Sequence, residues 1–270
     1  MTEADEELLL RRLDRERRAR LEAEGIAERA TAELYAAVLE LERTNQTLDA
    51  ANRSMSEFVA VASHDLRQPL NGILGLSYLL LSGWDSDPDE RKLDYIATIE
   101  RQGEHLNRIV QDLITVSKLD AGAMERHIEE VGVRRLLDEI TTEFADAADI
   151  SVACPSDLNV HTDPDHLRRV VVNYLTNALK YGEPPVDITV TLTDESVRLK
   201  VCDNGRGVPA EFIPRLFDRF ARADETARSQ EGTGLGLSIV RGLALANGGD
   251  AWYEPLTPQG SCFNLSLPRG

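Results

Sequence analysis

Residues 163–182 read DPDHLRRVVVNYLTNALKYG and predict a helix with two different faces. An Asp before Pro is a typical helix start, because the carboxylate caps backbone N–H groups and proline fits the first turn. The apolar face consists of Leu167, Val170, Val171, Tyr174, Leu175 and Ala178. A separate stripe, at i, i+4 and i+7, holds Asn173, Asn177 and Lys180. Amide oxygens suit a hydrated Mg²⁺ ion and an ammonium group suits phosphate, although a solvated polar face is the alternative.

The segments that follow this helix alternate between apolar and polar residues, as strands do. Predicted strands cover 186–192 (VDITVTL), 197–202 and 262–267. Strands and helices gathered in this way predict that residues 133–270 form an α+β two-layer sandwich.

Two glycine-rich motifs flank the predicted strands. Residues 203–209 (DNGRGVP) come directly after a strand, where Gly205 and Gly207 allow close approach of a ligand and Asp203 can accept a hydrogen bond from an amine. A simple turn is the alternative for this motif. Residues 232–240 (GTGLGLSIV) open a helix whose N-terminal N–H groups suit phosphate, but they match neither a dinucleotide-binding fingerprint nor a Walker loop. The polar segment 221–231 between the motifs is long enough to act as a lid.

Upstream, residues 58–122 predict a helical hairpin. The first helix passes through FVAVASHDLRQPLNGILGLSYLLL, and the turn SGWDSDPDE contains the breakers Gly83 and Pro88. The second helix is predicted from about residue 89 to 119. Each helix has one apolar face, so two copies of the hairpin predict a dimeric four-helix bundle.

The first hairpin helix carries the motif HDLRQPL at 64–70. Imidazole is a good nucleophile at neutral pH, and the adjacent Asp65 can fix the tautomer of His64. Gln68 lies one turn later, where its amide can position a water molecule. Pro69 interrupts the helical hydrogen bonding at a cost of about 3 kcal/mol, which favours a functional reason for this turn. An ordinary surface histidine is the alternative.

Residues 1–57 are rich in charge and predict a long exposed helix that becomes a coiled coil. The apolar seam advances by alternating steps of four and three residues: Leu34, Val38, Leu41, Asn45, Leu48, Asn52, Met55, Val59, Ala62 and Leu66. Asparagine within such a seam favours a two-stranded pairing in fixed register. The alternative is a single helix packed on another domain.

Composition excludes several classes of protein. The 270 residues carry a net charge of −17, which disfavours nucleic acid as a partner because phosphate contacts need cationic surface. No apolar run approaches a membrane span and no signal peptide is visible, so we expect a cytoplasmic protein. The three cysteines are far apart without a CxxC pair, which predicts no zinc knuckle and a reducing compartment.

In this order and spacing, the motifs resemble those of the sensor histidine kinases of two-component systems. HDLRQPL resembles the H box, NYLTNALKYG the N box, DNGRGVP the first glycine box, FDRFARAD the F box and EGTGLGLSIV the second glycine box. Each motif is weak alone, but five collinear matches across residues 55–270 are specific.

The resemblance implies a role for each motif. His64 would be the phosphoacceptor and Asp65 its activating base, while Asn177 would hold Mg²⁺. Asp203 would bond the adenine amino group of ATP, and Arg222 would approach its phosphates. The implied nucleotide-binding set also contains Asn173, Lys180, Tyr181, Gly205, Gly207, Phe220, Gly232, Thr233, Gly234, Leu235, Gly236 and Leu237.

The resemblance also implies an activity: ATP-dependent autophosphorylation of a histidine, followed by transfer to an aspartate of a response regulator. A phosphatase-dominant or catalytically silent homologue that acts as a signalling scaffold is the alternative. Gln68 stands where many relatives have Thr or Asn, which leaves the strength of phosphatase activity open. We expect a homodimer with a coiled coil at 1–57, a phosphotransfer hairpin at 58–122, a linker at 123–132 and a catalytic domain at 133–270. No input domain is recognised before the coil, so either the coil receives a signal from another protein or the kinase lacks a sensor of its own.

Overall fold

In a computed structural model, the chain divides into two units, Met1–Val59 and Ala60–Gly270. The structure describes residues 3–144, 149–221 and 233–269. Helix α1 has the bounds Glu3–Ser82. Within the first unit the predicted apolar seam is exposed, with Leu34, Leu41 and Leu48 each at least 60% accessible. A single chain therefore leaves this seam uncovered, and the coiled coil stays a prediction.

The helical hairpin forms as the sequence predicts. Helix α1 passes through Pro69 without ending, and a turn at 83–88 leads into α2 (Asp89–Asp120). Because proline has no N–H, the carbonyl oxygen of Asp65 lacks the helical hydrogen bond that residue 69 would supply. The helix is thus locally weakened at the turn that carries His64.

The rest of the second unit combines three helices with seven strands among the described residues. The helices are α3 (Val133–Glu143), α4 (Pro164–Tyr181) and α5 (Gly236–Ala246), with a short 3₁₀ turn at Ile213–Arg215. The strands are β1 (Glu129–Gly132), β2 (Ile150–Ala153), β3 (Asn159–Thr162), β4 (Val186–Leu192), β5 (Ser196–Asp203), β6 (Asp250–Pro255) and β7 (Ser261–Pro268). The three predicted strands are confirmed, while α3, β1, β2, β3 and β6 were not predicted.

The main sheet has five strands in the order β2-β4-β5-β7-β6. Strands β2 and β4 are parallel and the other neighbours are antiparallel. Along β5, Val197, Leu199, Val201 and Asp203 point to the buried face, and helices α4 and α5 contact the sheet. Helices on a mixed sheet form the two-layer α/β arrangement that the sequence predicts.

Part of the predicted linker 123–132 is structured. Strand β1 pairs antiparallel with β3, so residues 129–132 belong to a small second sheet. The backbone N–H of His127 donates to Asp163 Oδ2 at 2.8 Å, and Arg126 donates to the carbonyl oxygen of Ala246 at 2.6 Å. The segment is therefore fixed to the α/β layers from residue 126 onward, which limits any hinge to the residues just after α2.

Helix α4 is fixed in the core by its apolar face. The Tyr174 side chain is fully buried, stacks on Phe263 with ring centroids 5.4 Å apart, and donates its hydroxyl proton to the Asn264 carbonyl oxygen at 2.7 Å. Burial raises the pKa of Tyr174, so the phenol stays protonated. Asp163 caps the helix as predicted, accepting from the N–H groups of Asp165 and His166.

Two of the three cysteines form a pair that the sequence analysis does not predict. Cys202 and Cys262 oppose each other in the register of β5 and β7 and form a disulfide, while Cys154 is a free thiol. Disulfides persist in oxidising compartments, and cytosolic ones are usually transient or redox-sensing. The pairing was not predictable because spacing along the chain does not reveal the register of two strands.

Within the described ranges, no helix combines the length and the apolar character that crossing a membrane requires.

Candidate functional site

His64 lies on the surface of α1 beside a carboxylate. Its side chain is 73% exposed, and its Nδ1 atom is 3.1 Å from Asp65 Oδ1. A ring whose Nδ1 carries the proton for this contact presents Nε2 with a lone pair to solvent. The His64 side chain therefore points away from the apolar seam of the helix. Gln68, one turn later, is also exposed.

The asparagine stripe of α4 is internally organised. The side-chain amide of Asn177 donates to Asn173 Oδ1 at 3.2 Å, and both side chains are half-buried. This bond uses the amide nitrogen of Asn177 and leaves its carbonyl oxygen as the atom available for a cation. Lys180 is exposed near the end of the same helix.

These residues fit Mg²⁺ held through a nucleotide. In the described part of the chain, no group of three His, Cys, Asp or Glu side chains is arranged to hold a metal ion. Mg²⁺ commonly keeps several waters and binds through one or two protein oxygens together with substrate phosphates. A single amide oxygen from Asn177 therefore suits this mode of binding, whereas an all-protein metal cage does not form here.

The end of α4 meets the first glycine motif without room for a side chain. A Cβ atom on Gly182 would lie 2.5 Å from Asp203 Cγ, and one on Gly205 would lie 2.6 Å from Gly182 Cα. Asp203 is only 3% exposed and accepts from the Gly205 N–H at 2.8 Å. Burial raises the pKa of Asp203, while hydrogen bonds from the backbone of Gly205 and Ser261 oppose this shift.

Tyr253 of β6 fixes the same loop and was missed by sequence reasoning. The Val208 N–H donates to the Tyr253 hydroxyl at 3.1 Å, next to Gly207, which has a positive φ of 77°. The Tyr253 ring packs edge-on against Phe263. The apolar residues after Gly248-Gly249 were an available signal for a strand, but only the folded sheet shows that this strand approaches the motif.

The second glycine motif contacts the asparagine stripe. A Cβ atom on Gly236 would lie 2.3 Å from Asn173 Nδ2, and one on Gly234 would lie 2.7 Å from Phe220 Cα. The Phe220 N–H donates to the Gly234 carbonyl oxygen at 2.9 Å, and both residues have positive φ. The F-box phenylalanine, the glycine motif and the N-box helix therefore form one continuous surface.

The remaining predicted residues differ in position. Leu235 is 1% exposed, so its side chain belongs to the core and only its backbone can face a ligand. The Thr233 hydroxyl accepts from the Leu235 N–H, and Leu237 is half-buried. Tyr181 is 54% exposed at the last residue of α4. Arg222, Gly232 and most of the predicted lid lie outside the described residues.

The second hairpin helix packs against the elements that carry the site. Arg169 of α4 donates to Asp112 Oδ1 and to Thr115 Oγ1, both at 2.7 Å. A Cβ atom on Gly242 of α5 would lie 2.5 Å from a methyl carbon of Leu119. Arg219, one residue before Phe220, pairs with Asp120. The hairpin that carries His64 and the candidate nucleotide site are thus linked through α2.

Comparison with known families agrees with this organisation. Residues 54–122 match the His Kinase A (phospho-acceptor) domain, and residues 162–270 match the histidine kinase-, DNA gyrase B- and HSP90-like ATPase domain. The chain belongs to the sensor histidine kinases of two-component systems. The His64 motif falls in the first match, and all the described residues of the candidate nucleotide site fall in the second.

Curated relatives and solved structures that resemble this chain are also histidine kinases. The kinase is 33% identical over 247 residues to the circadian input-output histidine kinase CikA of Synechococcus elongatus, covering 85% of this chain and 33% of CikA. Full-length ShkA in complex with AMPPNP is 30% identical with a TM-score of 0.58, covering 78% of this chain and 45% of ShkA. ThkA in complex with the response regulator TrrA shares the fold, with a TM-score of 0.59 at 23% identity, covering 81% of this chain and 64% of that one.

The chain spans 33% of the length of CikA and 28% of the length of a second curated relative. The activity and the partners of the whole protein are therefore treated as proposals.

Asp203→Asn tests the buried carboxylate. A hydrogen bond to an ionised group contributes about 1.5–3 kcal/mol, so we expect this change to weaken ATP binding about tenfold or more. Folding raises the pKa of Asp203 above 3.8, so its ionisation disfavours the folded state above the folded pKa. This penalty vanishes below the unfolded pKa, where the side chain is protonated in both states.

The variant should accordingly unfold at pH 7 at a temperature no lower than wild type does, and any advantage should disappear in acid. Calorimetry gives both the affinity and the unfolding temperature, with exposed Asp194→Asn as the matched control. Unchanged affinity in Asp203→Asn would contradict the assigned contact.

Gly236→Ala tests the contact between α5 and the asparagine stripe. The added methyl group displaces the Asn173 amide and removes the partner of Asn177, while alanine itself favours helix. Loss of one such hydrogen bond predicts roughly fivefold weaker Mg²⁺–ATP binding with little loss of thermal stability. Gly103→Ala is the control, because a Cβ atom there has nothing within 4 Å. Equal affinities of the two variants for Mg²⁺–ATP would refute a role for the Gly236–Asn173 contact in nucleotide binding.

Proposed function

We propose that this protein autophosphorylates His64 with ATP and passes the phosphoryl group to an aspartate of a response regulator. The observation that carries the proposal is the exposed His64 imidazole, oriented by Asp65, in the same unit as a surface built from amides and glycines. The first feature supplies a nucleophile and the second supplies a place for a nucleotide.

ATP is the proposed nucleotide. Asp203 accepts from the adenine amino group, and glycine at 182 and 205 lets the backbone of both loops pack directly against this carboxylate. Asn173, Lys180 and the backbone around Gly234 and Gly236 lie toward the phosphates. The AMPPNP complex of ShkA supports binding of an adenosine triphosphate in this fold. Arg222 and Gly232 keep their proposed roles at the phosphates and the lid.

Mg²⁺ is the proposed metal, held by the carbonyl oxygen of Asn177 and by phosphate oxygens. When bound, it supplies charge neutralisation on the phosphates. The hydrogen bond from the Asn177 amide nitrogen to Asn173 fixes the orientation of that carbonyl oxygen. Asn173 is thus a positioning residue for the metal ligand.

Phosphorylation of the histidine begins with attack by Nε2 of His64 on the γ-phosphorus of ATP. The N–P bond forms as the bond to the β,γ-bridging oxygen breaks, and ADP leaves with that electron pair. The imidazole ring becomes positively charged during attack, and the Asp65 carboxylate at Nδ1 stabilises this charge and can take the proton. Positioning and charge neutralisation supply most of the catalysis of phosphoryl transfer.

The second step moves the phosphoryl group to the partner. A carboxylate oxygen of the response regulator attacks phosphorus and the N–P bond breaks. The proton that Asp65 took returns to Nδ1, so the imidazole leaves in its neutral form. The exposure of His64 leaves it open to a docking protein. The structure of ThkA with a response regulator supports this class of partner for the shared fold.

Phosphatase activity rests on Gln68, exposed one turn after His64. Its amide is placed to hold a water molecule against a partner's aspartyl phosphate. The alternative of a phosphatase-dominant or silent scaffold has less support, because Asn173, Asn177, Asp203 and the glycine motifs lie in the contacts that nucleotide binding requires.

Incubation with ATP labelled at the γ-phosphate tests the proposal. The wild type should gain an acid-labile, base-stable label, and His64→Ala and Asn177→Ala should gain none. Asp65→Asn should label on the order of a hundredfold more slowly, since general-base assistance is worth about 10²–10⁴ in rate.

The matched control is His161→Ala, because His161 is an exposed histidine outside both motifs. It should label as the wild type does. A label that survives in His64→Ala would refute the assignment of the phosphoacceptor.

We further propose that the kinase is a homodimer formed through the coil at 1–57 and the hairpin at 58–122. Exposed apolar side chains on the hairpin supply a face for a second copy: Leu70, Leu74, Leu79, Leu93, Ile96 and Ile114. In the coil, valine and asparagine alternate with leucine and methionine along the seam, a pattern that favours two parallel strands. The remaining two segments of the proposed domain organisation are the linker 123–132 and the catalytic domain 133–270.

Leu41→Lys tests the coil, since a lysine within the seam of a dimer would bury an unpaired charge. We expect the dimer of the full chain to dissociate at least about tenfold more readily in sedimentation experiments. Glu40→Lys adds the same group on the neighbouring position outside the seam and should leave dissociation unchanged. Identical behaviour of the two variants would exclude the coiled coil.

A cytoplasmic location is proposed because ATP and response regulators are found there. A separate sensor protein acting on the coil remains the proposed source of the signal.

A further inference from the structure

The disulfide lies at the centre of a row of side chains that crosses the whole main sheet. Cys202 of β5 opposes Cys262 of β7, Asp187 of β4 opposes Cys202, and Glu254 of β6 opposes Cys262. These four side chains share the face of the sheet opposite the helices. Cys262 is 1% exposed, whereas Cys202 is half-buried. Cys202 is therefore the side from which a solvent-borne reagent approaches the disulfide.

The residue after Cys202 in β5, Asp203, belongs to the proposed nucleotide site. Asp203 follows Cys202 and is opposed by Ser261, which precedes Cys262. The Asp203 carboxylate accepts from the Ser261 backbone N–H as well as from Gly205. A Cβ atom on Gly260 would lie 2.2 Å from the Asp203 carbonyl oxygen, so the two strands are closely apposed at this point. The disulfide thus fixes the spacing of β5 and β7 one residue from the proposed adenine contact.

We propose that Cys202 and Cys262 form a reversible redox site whose disulfide form holds the nucleotide site in its tight-binding geometry and whose dithiol form binds nucleotide more weakly. The inference rests on the proposed function, since it requires that Asp203 contact a nucleotide. In a compartment that supplies ATP, the disulfide meets cellular dithiols, and disulfides in such compartments are usually redox-sensing or catalytic.

Reduction by a small dithiol balances as a two-electron exchange. A thiolate of the reagent attacks Sγ of Cys202, and Cys262 leaves as a thiolate that takes a proton. The second thiol of the reagent then attacks the mixed disulfide, releases Cys202 as a thiol and closes a cyclic disulfide. Re-oxidation reverses these steps with an oxidised dithiol as the acceptor of two electrons and two protons.

Charged side chains beside the two cysteines affect which thiol reagent reduces the disulfide fastest. The hydrogen bond from Trp252 and the ammonium group of Lys200 lower the pKa of Glu254, which is therefore ionised at neutral pH beside Cys262. Asp187 stands beside Cys202 and accepts from the Ser151 hydroxyl at 2.5 Å. Lys200 offsets the charge of Glu254, so Asp187 beside Cys202 is the acidic neighbour that repels an anionic reagent thiolate. An uncharged dithiol is accordingly expected to reduce the bond faster than a tripeptide thiol of net negative charge.

The test compares the full chain in its oxidised and dithiol forms, identified by alkylation and intact mass. AMPPNP with Mg²⁺ is the probe, and calorimetry gives its Kd. We expect the dithiol form to bind on the order of fivefold more weakly, at the lower end of ordinary coupling between two sites. The Cys202→Ser/Cys262→Ser variant should resemble the dithiol form under both conditions, and Cys154→Ser should respond to redox state as the wild type does.

A redox titration of the wild-type chain provides a second reading that needs no variant. Coupling is reciprocal, so saturating AMPPNP should make the disulfide about fivefold harder to reduce, a shift of about 20 mV for a two-electron couple. Equal Kd values in the two redox forms, or failure of the oxidised protein to contain the Cys202–Cys262 bond, would overturn the inference while leaving the kinase proposal intact. Failure of both forms to bind AMPPNP would overturn the kinase proposal and the inference together.

Discussion

The position of helix α4 is the constraint on which the rest of the nucleotide site depends. Its apolar face is buried against the sheet, and the hydrogen bond from Tyr174 to the Asn264 carbonyl fixes both its rotation and its depth. Because successive residues of a helix turn by about 100°, fixing Tyr174 inward presents Asn173 and Asn177 on another face. A rotation of α4 would therefore disturb the core before it changed the site, which keeps the two amides in register with α5.

Glycine determines how closely the other elements approach this helix. Gly236 meets the Asn173 amide, Gly234 meets Phe220, and Gly182 meets Asp203, each at a distance that a Cβ atom would not permit. The site is consequently assembled from backbone surfaces that contact one another directly. Such surfaces present N–H groups and little side-chain bulk, which suits a flat base and a chain of phosphates.

Much of this arrangement follows from local sequence signals. The Asp-Pro helix start and the alternation in 186–192 identify a helix and a strand that the structure confirms, and the motif at 203–209 follows a strand as expected. Strand β1 was not predictable, since its four residues are stabilised by pairing with β3 rather than by their own pattern. Helix α3 did offer a signal, with Val133, Leu137 and Ile140 at helical spacing and all buried. Tyr253 and the disulfide depend on strand register, which only the folded sheet reveals.

The contact of Arg169 with Asp112 and Thr115 has a consequence for recombining domains. Arg169 lies one turn before Asn173 on α4, whereas its partners lie on the hairpin helix α2. The packing of the hairpin on the ATPase domain therefore depends on these three side chains matching one another. A chimera that takes its hairpin from one kinase and its ATPase domain from another would separate this partly buried charge pair. Breaking such a pair from one side is more costly than replacing both sides together. The natural unit of exchange is therefore the hairpin together with the matching turn of α4.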